Sequence, residues 1–154
     1  MELYDWLLLG HILSAITWVG GAIAMQVVGG RLYRAESAEA VAAFARTAEH
    51  LGPRLFMPAS LAVLGFGIAM VSVSEAWSIG QLWIILGLVG IAISAIGGAL
   101  FFGPQSKRIG EALRTEGAES ERVRSLIRQL FVVGRVDVLI LLLVVANMVL
   151  KPGL

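Results

Sequence analysis

Four long apolar stretches alternate with shorter polar links along this chain. Each stretch is long enough for a helix to cross a bilayer, which takes about 20 residues. We place the four membrane-spanning helices at residues 4–28, 55–74, 81–102 and 130–150. Pro58 lies near the start of the second stretch, where a helix tolerates proline best. The pattern predicts an all-α fold, a four-transmembrane-helix bundle, formed by one integral membrane domain of residues 1–154.

The two longer links have a helical pattern of their own. The link "SAEAVAAFARTAEHL" begins at Ser37, a typical N-cap residue, and is rich in alanine. The link "ESERVRSLIRQL" follows a break rich in glycine, threonine and glutamate. We therefore predict helical extensions that lead into the second and fourth spans. With its extension, the fourth helix covers residues 120–150, about 46 Å at 1.5 Å per residue.

Basic residues predict the orientation in the membrane. They are concentrated in the two long links, whereas the short link "EAWSIG" has none. The positive-inside rule then places both long links in the cytoplasm and both termini outside. Tyr4, Trp6, Trp77 and Trp83 would then lie at the outer interface, where aromatic rings collect. The predicted bundle is therefore N-out and C-out, with cytoplasmic helical extensions.

Composition supports a membrane location and excludes several functions. Hydrophobic residues make up 58% of the chain, against about 45–50% in soluble proteins. The formal net charge of +1 gives no reason to expect a nucleic-acid partner. The chain has no cysteine, which excludes disulfides and thiolate metal sites. We expect a multi-pass protein of the bacterial inner membrane, surrounded by lipid, either as a homodimer or within a larger membrane complex.

Gly90, Ser94 and Gly98 form a stripe of small residues along the third span. Such stripes let helix backbones approach closely in lipid. We expect the stripe to pack inside the bundle, and a dimer face is the alternative.

His11 is the first candidate for chemistry, because ionisable residues inside membrane spans are rare and commonly functional. His11 and Trp18 are seven residues apart and share one face of the first helix, with small residues around them. His11 could bind a metal or a haem iron. The alternative is a neutral histidine hydrogen-bonded to a carbonyl or hydroxyl group on a neighbouring helix.

Depth in the membrane limits which groups share a ligand with His11. His50 would lie roughly 25–30 Å away along the membrane normal, so one metal cannot bridge the two histidines. Met70 in the second span and Met148 in the fourth fall near the depth of His11. Methionine is an axial ligand of haem and a soft ligand of Cu(I). Core packing is the alternative for both methionines.

Arg135 and Asp137 form a second polar feature, near the start of the fourth span. Arg135 can extend its charged group toward the interface, whereas Asp137 is deeper and needs a partner. Arg54 and Gln26 are at a suitable depth for that role. We expect a structural ion pair or anchor, with contact to a proton or a lipid headgroup as the alternative.

Several segments carry a resemblance to known families. "GHILSAITWVGG", "GGRLYR", "LGPRLFMPA" and "VGRVDVLILLL" resemble an uncharacterised family of small bacterial integral membrane proteins, over essentially the whole chain. That family implies a topology without an established activity. The first segment is also similar to the first helix of HemJ-type protoporphyrinogen oxidases, which are haem-associated, and of CopD-type copper proteins. The functional lysine of the HemJ-type third helix falls here on an apolar position near Ile85.

These observations lead to one functional hypothesis and two alternatives. The hypothesis is an integral membrane redox protein that binds haem b, with His11 as axial ligand. Trp18 would shape the pocket, and Met70 or Met148 would supply a sixth ligand unless the iron is five-coordinate. The alternatives are a non-enzymatic accessory or scaffold subunit of a larger membrane complex, and a transporter of Cu(I) or a small solute.

Overall fold

Helices make up the whole secondary structure of the residues that the computed structural model describes, 2–34 and 37–153. Four continuous helical stretches are long and apolar enough to cross a membrane. They are Leu3–Arg34, Ala38–Val73, Leu82–Glu116 and Glu121–Leu150. The predicted all-α fold with four membrane-spanning helices is therefore confirmed.

Two short π-helical turns divide the second and third stretches, so we number six α-helices. These are α1 (Leu3–Arg34), α2 (Ala38–Leu51), α3 (Met57–Val73), α4 (Leu82–Gly97), α5 (Gly103–Glu116) and α6 (Glu121–Leu150). The first π turn (Gly52–Phe56) joins α2 to α3, and the second π turn (Gly98–Phe102) joins α4 to α5.

Serine residues begin two of these helices. Ser37 caps α2, where its hydroxyl oxygen accepts a hydrogen bond from the Ala40 backbone N–H at 3.4 Å. The Ser120 hydroxyl accepts in the same way from the backbone N–H of Arg122, at 3.2 Å, where α6 begins. Each cap satisfies a donor that the first helical turn leaves free. The predicted helical extensions are thus present, and α6 runs without a break through the fourth apolar stretch.

A proline follows each π turn, in the shared pattern Gly-x-x-x-Phe-x-Pro at residues 52–58 and 98–104. A proline inside an α-helix lacks an N–H group, and its ring collides with the carbonyl four residues earlier. Here the wider turn gives space, because Met57 bonds to the Gly52 carbonyl and Gly103 to the Gly98 carbonyl. Pro58 is the second residue of α3, near the start of the second span as expected, although the helical stretch continues before it through the π turn.

The helices pack around α1 and α6. Helix α1 contacts both α3 and α6, α4 packs against α6, and α3 makes fewer contacts with α4. Helices α2 and α5 pack against each other and, with the end of α1 and the start of α6, form one end of the bundle. This end carries the arginine-rich links, and we call it the basic end. The opposite end holds the 74–81 loop with Trp77, and we call it the tryptophan end.

Two separate cores stabilise the bundle. The membrane core contains Trp18, Ala59, Val63, Ile91 and Leu141 and joins α1, α3, α4 and α6. The basic-end core is larger and comprises Val41, Phe44, Ala45, Ile109, Ala112, Val123, Ile127, Leu130 and Phe131. Gln105 is buried beside it and donates from Nε2 to the Leu126 carbonyl at 3.0 Å, which ties α5 to α6.

Glycines let large side chains of one helix rest on the backbone of another. Phe66 of α3 lies against Gly10, and Phe44 of α2 lies against Gly29. In the same way Met148 lies against Gly87 and Val144 against Gly90, at the interface of α6 with α4. Gly87, Gly90 and Ser94 are buried, so this part of the small-residue stripe packs inside the bundle, as expected.

Candidate functional site

His11 is half-buried on α1 and faces α3. Its Nδ1 atom lies 2.9 Å from the backbone carbonyl oxygen of Val63. Because a carbonyl oxygen only accepts hydrogen bonds, Nδ1 carries the proton and donates it. In the neutral imidazole, the lone pair is then on Nε2. The histidine thus meets a carbonyl group on a neighbouring helix, and one ring nitrogen is still available.

Gly67 provides the space for the imidazole ring on α3. A Cβ atom at this position would lie 3.3 Å from Cε1 and 3.4 Å from Nδ1 of His11, so the ring packs against the glycine backbone. The Val63 carbonyl also belongs to the α-helical ladder, in which the Gly67 N–H is its partner four residues later. The Val63 carbonyl oxygen therefore accepts two hydrogen bonds, and the one from His11 uses the second lone pair of this oxygen.

Trp18 lies two turns farther along α1, in the membrane core, with 6% of its surface exposed. Trp18 belongs to the same cluster as the side chain of Val63. The backbone carbonyl of Val63 accepts the hydrogen bond from His11. Trp18 and His11 are therefore connected through one residue of α3. The tryptophan packs among side chains of three other helices.

The two methionines lie apart from the His11 ring. Met148 of α6 packs on Gly87 of α4. Met70 is half-buried on α3, three residues beyond Gly67. Where α1 contacts α3, Gly10 lies beside Phe66 and His11 lies beside Gly67. Met70 is therefore about one helical turn nearer to the tryptophan end than His11 is.

His50 does not approach His11. It is exposed in the last turn of α2, at the basic end. Within residues 2–34 and 37–153, no three histidine, aspartate or glutamate side chains form a group that could hold a metal ion. Any metal at His11 would therefore need ligands of another kind.

Asp137 finds its partner on α4. The Ser94 hydroxyl donates to Oδ1 of Asp137 at 2.5 Å. This corrects the expectation that Arg54 or Gln26 would pair with Asp137. Arg54 is exposed on the first π turn, and Arg135 is exposed on α6. The structural ion pair expected here is absent from the described residues, whose one salt bridge joins Arg122 to Glu116.

Gln26 has a different role from the one expected. Its side chain lies over Gly134 at the contact of α1 with α6. Its Oε1 atom is buried and has no hydrogen-bond partner among the described residues.

The tryptophan end holds a cluster of aromatic side chains and one lysine that was not predicted from the sequence. The rings of Trp77 and Trp83 meet edge-to-face, with 5.3 Å between their centres. The Lys151 ammonium lies 4.3 Å from the centre of the Trp77 ring, in cation–π geometry. Trp77 Nε1 also donates to the Tyr4 hydroxyl at 3.2 Å. The interfacial tryptophans were visible in the sequence, but their contact with Lys151 depends on how α6 ends.

Two cavities open between helices at the basic end. The first has a volume of about 200 Å³ and is lined by Tyr33, Arg34, Val41 and Arg124. The second, of about 270 Å³, lies between α2 and α5 and is lined partly by Arg46, Glu49 and Arg114. Neither is lined by His11. The basic links indicated an excess of charge here, but only the fold brings Arg34 and Arg124 to one cavity.

Comparison with known proteins supports the same membrane assignment. A family model described as "Predicted integral membrane protein (DUF2269)" matches residues 5–152. No curated protein and no solved structure matches the chain. The match covers nearly the whole sequence, including all four spanning helices. The chain therefore belongs to the DUF2269 family of predicted integral membrane proteins.

Proposed function

We propose that this integral membrane protein binds haem b and that Nε2 of His11 is an axial ligand of the iron. One observation carries the proposal: the Nδ1–H group of His11 donates to the Val63 carbonyl at 2.9 Å. Histidines that bind metals commonly donate their other ring N–H to a carbonyl or carboxylate, which fixes the ring and raises its basicity. His11 has this arrangement, and its second nitrogen is the one that would bind iron.

The surroundings of His11 fit one axial ligand. Gly67 leaves room for the ring, and Ser14 and Ala15 on α1 are small. The Ser14 hydroxyl donates to the Gly10 carbonyl at 2.7 Å, so it does not compete for the imidazole. A haem iron bound here would supply one-electron redox chemistry. The side chains of this chain would position the ring and exclude water from it.

Met70 or Met148 would supply a sixth ligand, and we favour Met70. Met70 belongs to α3, the helix that already holds the His11 ring. Met148 packs on Gly87 of α4 and would have to leave that contact. A five-coordinate iron is the other form of the proposal. A Met70→Ala variant distinguishes the two forms, because this substitution would change the visible spectrum only if Met70 is a ligand.

The test is the visible spectrum of protein purified in mild detergent from haem-supplemented cells. We expect a Soret band in the wild type and in His50→Ala, and its loss in His11→Ala. His50 is the other histidine of the chain, exposed on α2, and is a matched control. Added imidazole should restore the band in His11→Gly. Absence of the band from the wild type, or equal bands in wild type and His11→Ala, would refute the proposal.

A second candidate function is a non-enzymatic accessory subunit of a larger membrane complex. The observation that favours it is the wide apolar surface of α1, where Ile12, Leu13 and Ile16 are all exposed. Lipid or a partner helix would cover this surface. Co-purification in mild detergent distinguishes the candidates, since an accessory subunit would retain a stoichiometric partner and no chromophore. In that case His11→Ala would lower thermal stability without any spectral change.

A further inference from the structure

We propose that the cavity lined by Tyr33, Arg34, Val41 and Arg124 binds a phosphate group, either on an anionic lipid headgroup or on a soluble phosphate compound. This site lies at the basic end and is independent of His11. Three helices converge on it: the end of α1, the first turn of α2 and the first turn of α6. Residues far apart in the sequence thus form one basic pocket.

The size of the cavity suits a phosphate group. Its volume of about 200 Å³ corresponds to roughly seven water molecules at ~30 Å³ each. That space accommodates a phosphate and a few neighbouring atoms, but not a whole diacyl lipid. The acyl chains of a lipid would have to remain in the bilayer, beside α1.

The electrostatics of the cavity favour an anion. Arg34 and Arg124 both line this cavity, so two positively charged residues share one small space and repel each other. Arg124 is also in the first turn of α6, where the helix dipole disfavours a positive charge. Arg122 in the same turn is compensated by Glu116 at 2.9 Å. A bound phosphate would offset the repulsion at Arg124, and guanidinium groups bind phosphate oxygens in a bidentate manner.

Two further groups define the shape of the pocket. The Tyr33 hydroxyl lies 3.5 Å from the Arg124 carbonyl, so the end of α1 lies beside the start of α6. Val41 is in the first turn of α2, whose helix dipole adds positive potential to the pocket. Tyr33 could donate its one hydroxyl hydrogen to a bound phosphate oxygen only by turning it away from the Arg124 carbonyl.

The cavity lies at the aqueous edge of the lipid headgroup layer. Arg34 is six residues beyond the predicted end of the first span at Val28, or about 9 Å along the helix axis. The headgroup region adds about 5–8 Å on each side of the hydrocarbon core. Basic pockets between membrane helices at this level bind lipid headgroups. A soluble phosphate compound would enter the same pocket from the aqueous side.

The experiment measures thermal unfolding of the full chain in neutral detergent, using the fluorescence of its four tryptophans. Short-chain phosphatidic acid, short-chain phosphatidylcholine and inorganic phosphate are titrated separately. We expect phosphatidic acid to raise the Tm of the wild type. Arg34→Gln and Arg124→Gln should each require about tenfold more lipid for half of the effect, because each removes a charge-assisted contact.

Arg108→Gln is the matched control, because it removes the same charge from an exposed position on α5, outside the cavity. It should respond like the wild type. A rise in Tm with inorganic phosphate that also depends on Arg34 identifies a soluble ligand. A rise with phosphatidic acid alone identifies a headgroup. No rise with any anion, or equal weakening in Arg108→Gln, overturns the proposal.

A poorly folding Arg124→Gln variant would still leave the test decisive. Arg34 is exposed in the last turn of α1, so Arg34→Gln removes a cavity charge without disturbing a core. Native mass spectrometry of wild type and Arg34→Gln then counts bound phosphatidic acid directly. Equal occupancy in the two proteins would contradict the assignment of this cavity.

Discussion

Gly29 controls the closest approach of α1 and α2. The Phe44 ring lies directly on its backbone, where any Cβ atom would overlap the ring. Phe44 cannot easily move away, because its ring also stacks on Phe131, with ring centres 5.2 Å apart. Gly20, on the same helix, has no atom near its Cβ position among the described residues. The same residue type therefore has different roles at two positions of one helix.

We predict that Gly29→Ala destabilises the protein by about 1–3 kcal/mol, the usual cost of overpacking a filled core. Gly20→Ala should be neutral, or stabilising by up to ~1 kcal/mol, because alanine favours the helix and meets no neighbour. Unfolding in mixed detergent micelles, followed by tryptophan fluorescence, gives both free energies. Equal effects at the two positions would show that Phe44 does not restrict Gly29.

Glu116 belongs to a small polar cluster in the turn between α5 and α6. The Ser120 hydroxyl donates to Glu116 Oε2 at 2.7 Å, and Arg122 contacts Oε1 at 2.9 Å. The hydrogen bond from Ser120, and then that from Arg122, lower the pKa of the Glu116 carboxyl group. The cluster stabilises the charged form of a side chain outside the predicted spans.

A carboxyl group with a lowered pKa stabilises the fold above its unfolded pKa, which is about 4.3 for glutamate. The stabilisation is lost as the pH falls through the lower, folded pKa. We predict that the Tm difference between wild type and Glu116→Gln is largest at neutral pH and disappears in acid. Glu119→Gln, which removes a carboxyl group from the same exposed turn, is the control. A pH-independent difference at Glu116 would contradict this role.

At the residue scale, the sequence identified the unusual polar side chains within the spans but not their hydrogen-bond partners. His11 and Asp137 stood out because charged or polar side chains are rare in apolar helices. The partner of His11 is a backbone carbonyl, and every residue has one, so no sequence signal identifies Val63. Depth alone suggested Arg54 for Asp137, but the rotation of α4 brings Ser94 to face it. Helix rotation does not follow from depth.

At the element scale, the Ser94–Asp137 hydrogen bond joins α4 to α6 at the level of the membrane core. Toward the tryptophan end the same two helices are joined by Asn147, whose amide donates to the Trp83 carbonyl at 2.6 Å. On α4, Gly87 and Gly90 lie between these two bonds, and the side chains of Met148 and Val144 pack on them. Polar contacts thus set the register of a pair held mainly by packing.

A double-mutant cycle with Ser94→Ala and Asp137→Ala should give a coupling free energy of about 1–2 kcal/mol. Hydrogen bonds between membrane helices average ~0.6 kcal/mol and reach about 1.7, and a carboxyl acceptor favours the upper end. Unfolding in mixed micelles measures the four proteins. Arg135→Ala, exposed on the same turn of α6, is the control and should not couple to Ser94. A coupling free energy below about 0.3 kcal/mol would show that this hydrogen bond does not stabilise the contact of α4 with α6.

The π turns show the limit of prediction for whole elements. Ser37 indicated where α2 begins, because capping is a local property of the chain, whereas the cap at Ser120 was not predicted. Pro58 suggested a helix start, since a proline in a helix interior is costly. Pro58 does lie in the first turn of α3, but the helix continues before it through a widened turn, which the sequence did not predict.

At the scale of the whole molecule, the four spans were predictable because long apolar runs leave few alternatives to helices in lipid. The N-out, C-out orientation stays a prediction from the distribution of basic residues. The absence of cysteine makes it testable, since any introduced thiol is the one reactive thiol in the chain. Glu75 in the loop at the tryptophan end and Glu119 at the basic end are both exposed and suit this purpose.

We predict that a membrane-impermeant maleimide labels Glu75→Cys in intact spheroplasts. Glu119→Cys should react only after the membrane is broken, because the positive-inside rule places the basic end in the cytoplasm. The cysteine-free wild type measures background labelling. Labelling of Glu119→Cys in intact cells, with protection of Glu75→Cys, would reverse the orientation and place the phosphate cavity on the outer surface.

The contact between α1 and α6 has a consequence for biosynthesis. Trp18 and Leu141 belong to the same core, and Gln26 rests on Gly134, so the first helix made is completed by the last. While the ribosome is still synthesising the middle of the chain, α1 is in the bilayer with one flank uncovered. A chain that stops before residue 121 would therefore expose this flank permanently, and membrane proteases would have a simple feature by which to recognise an unfinished product.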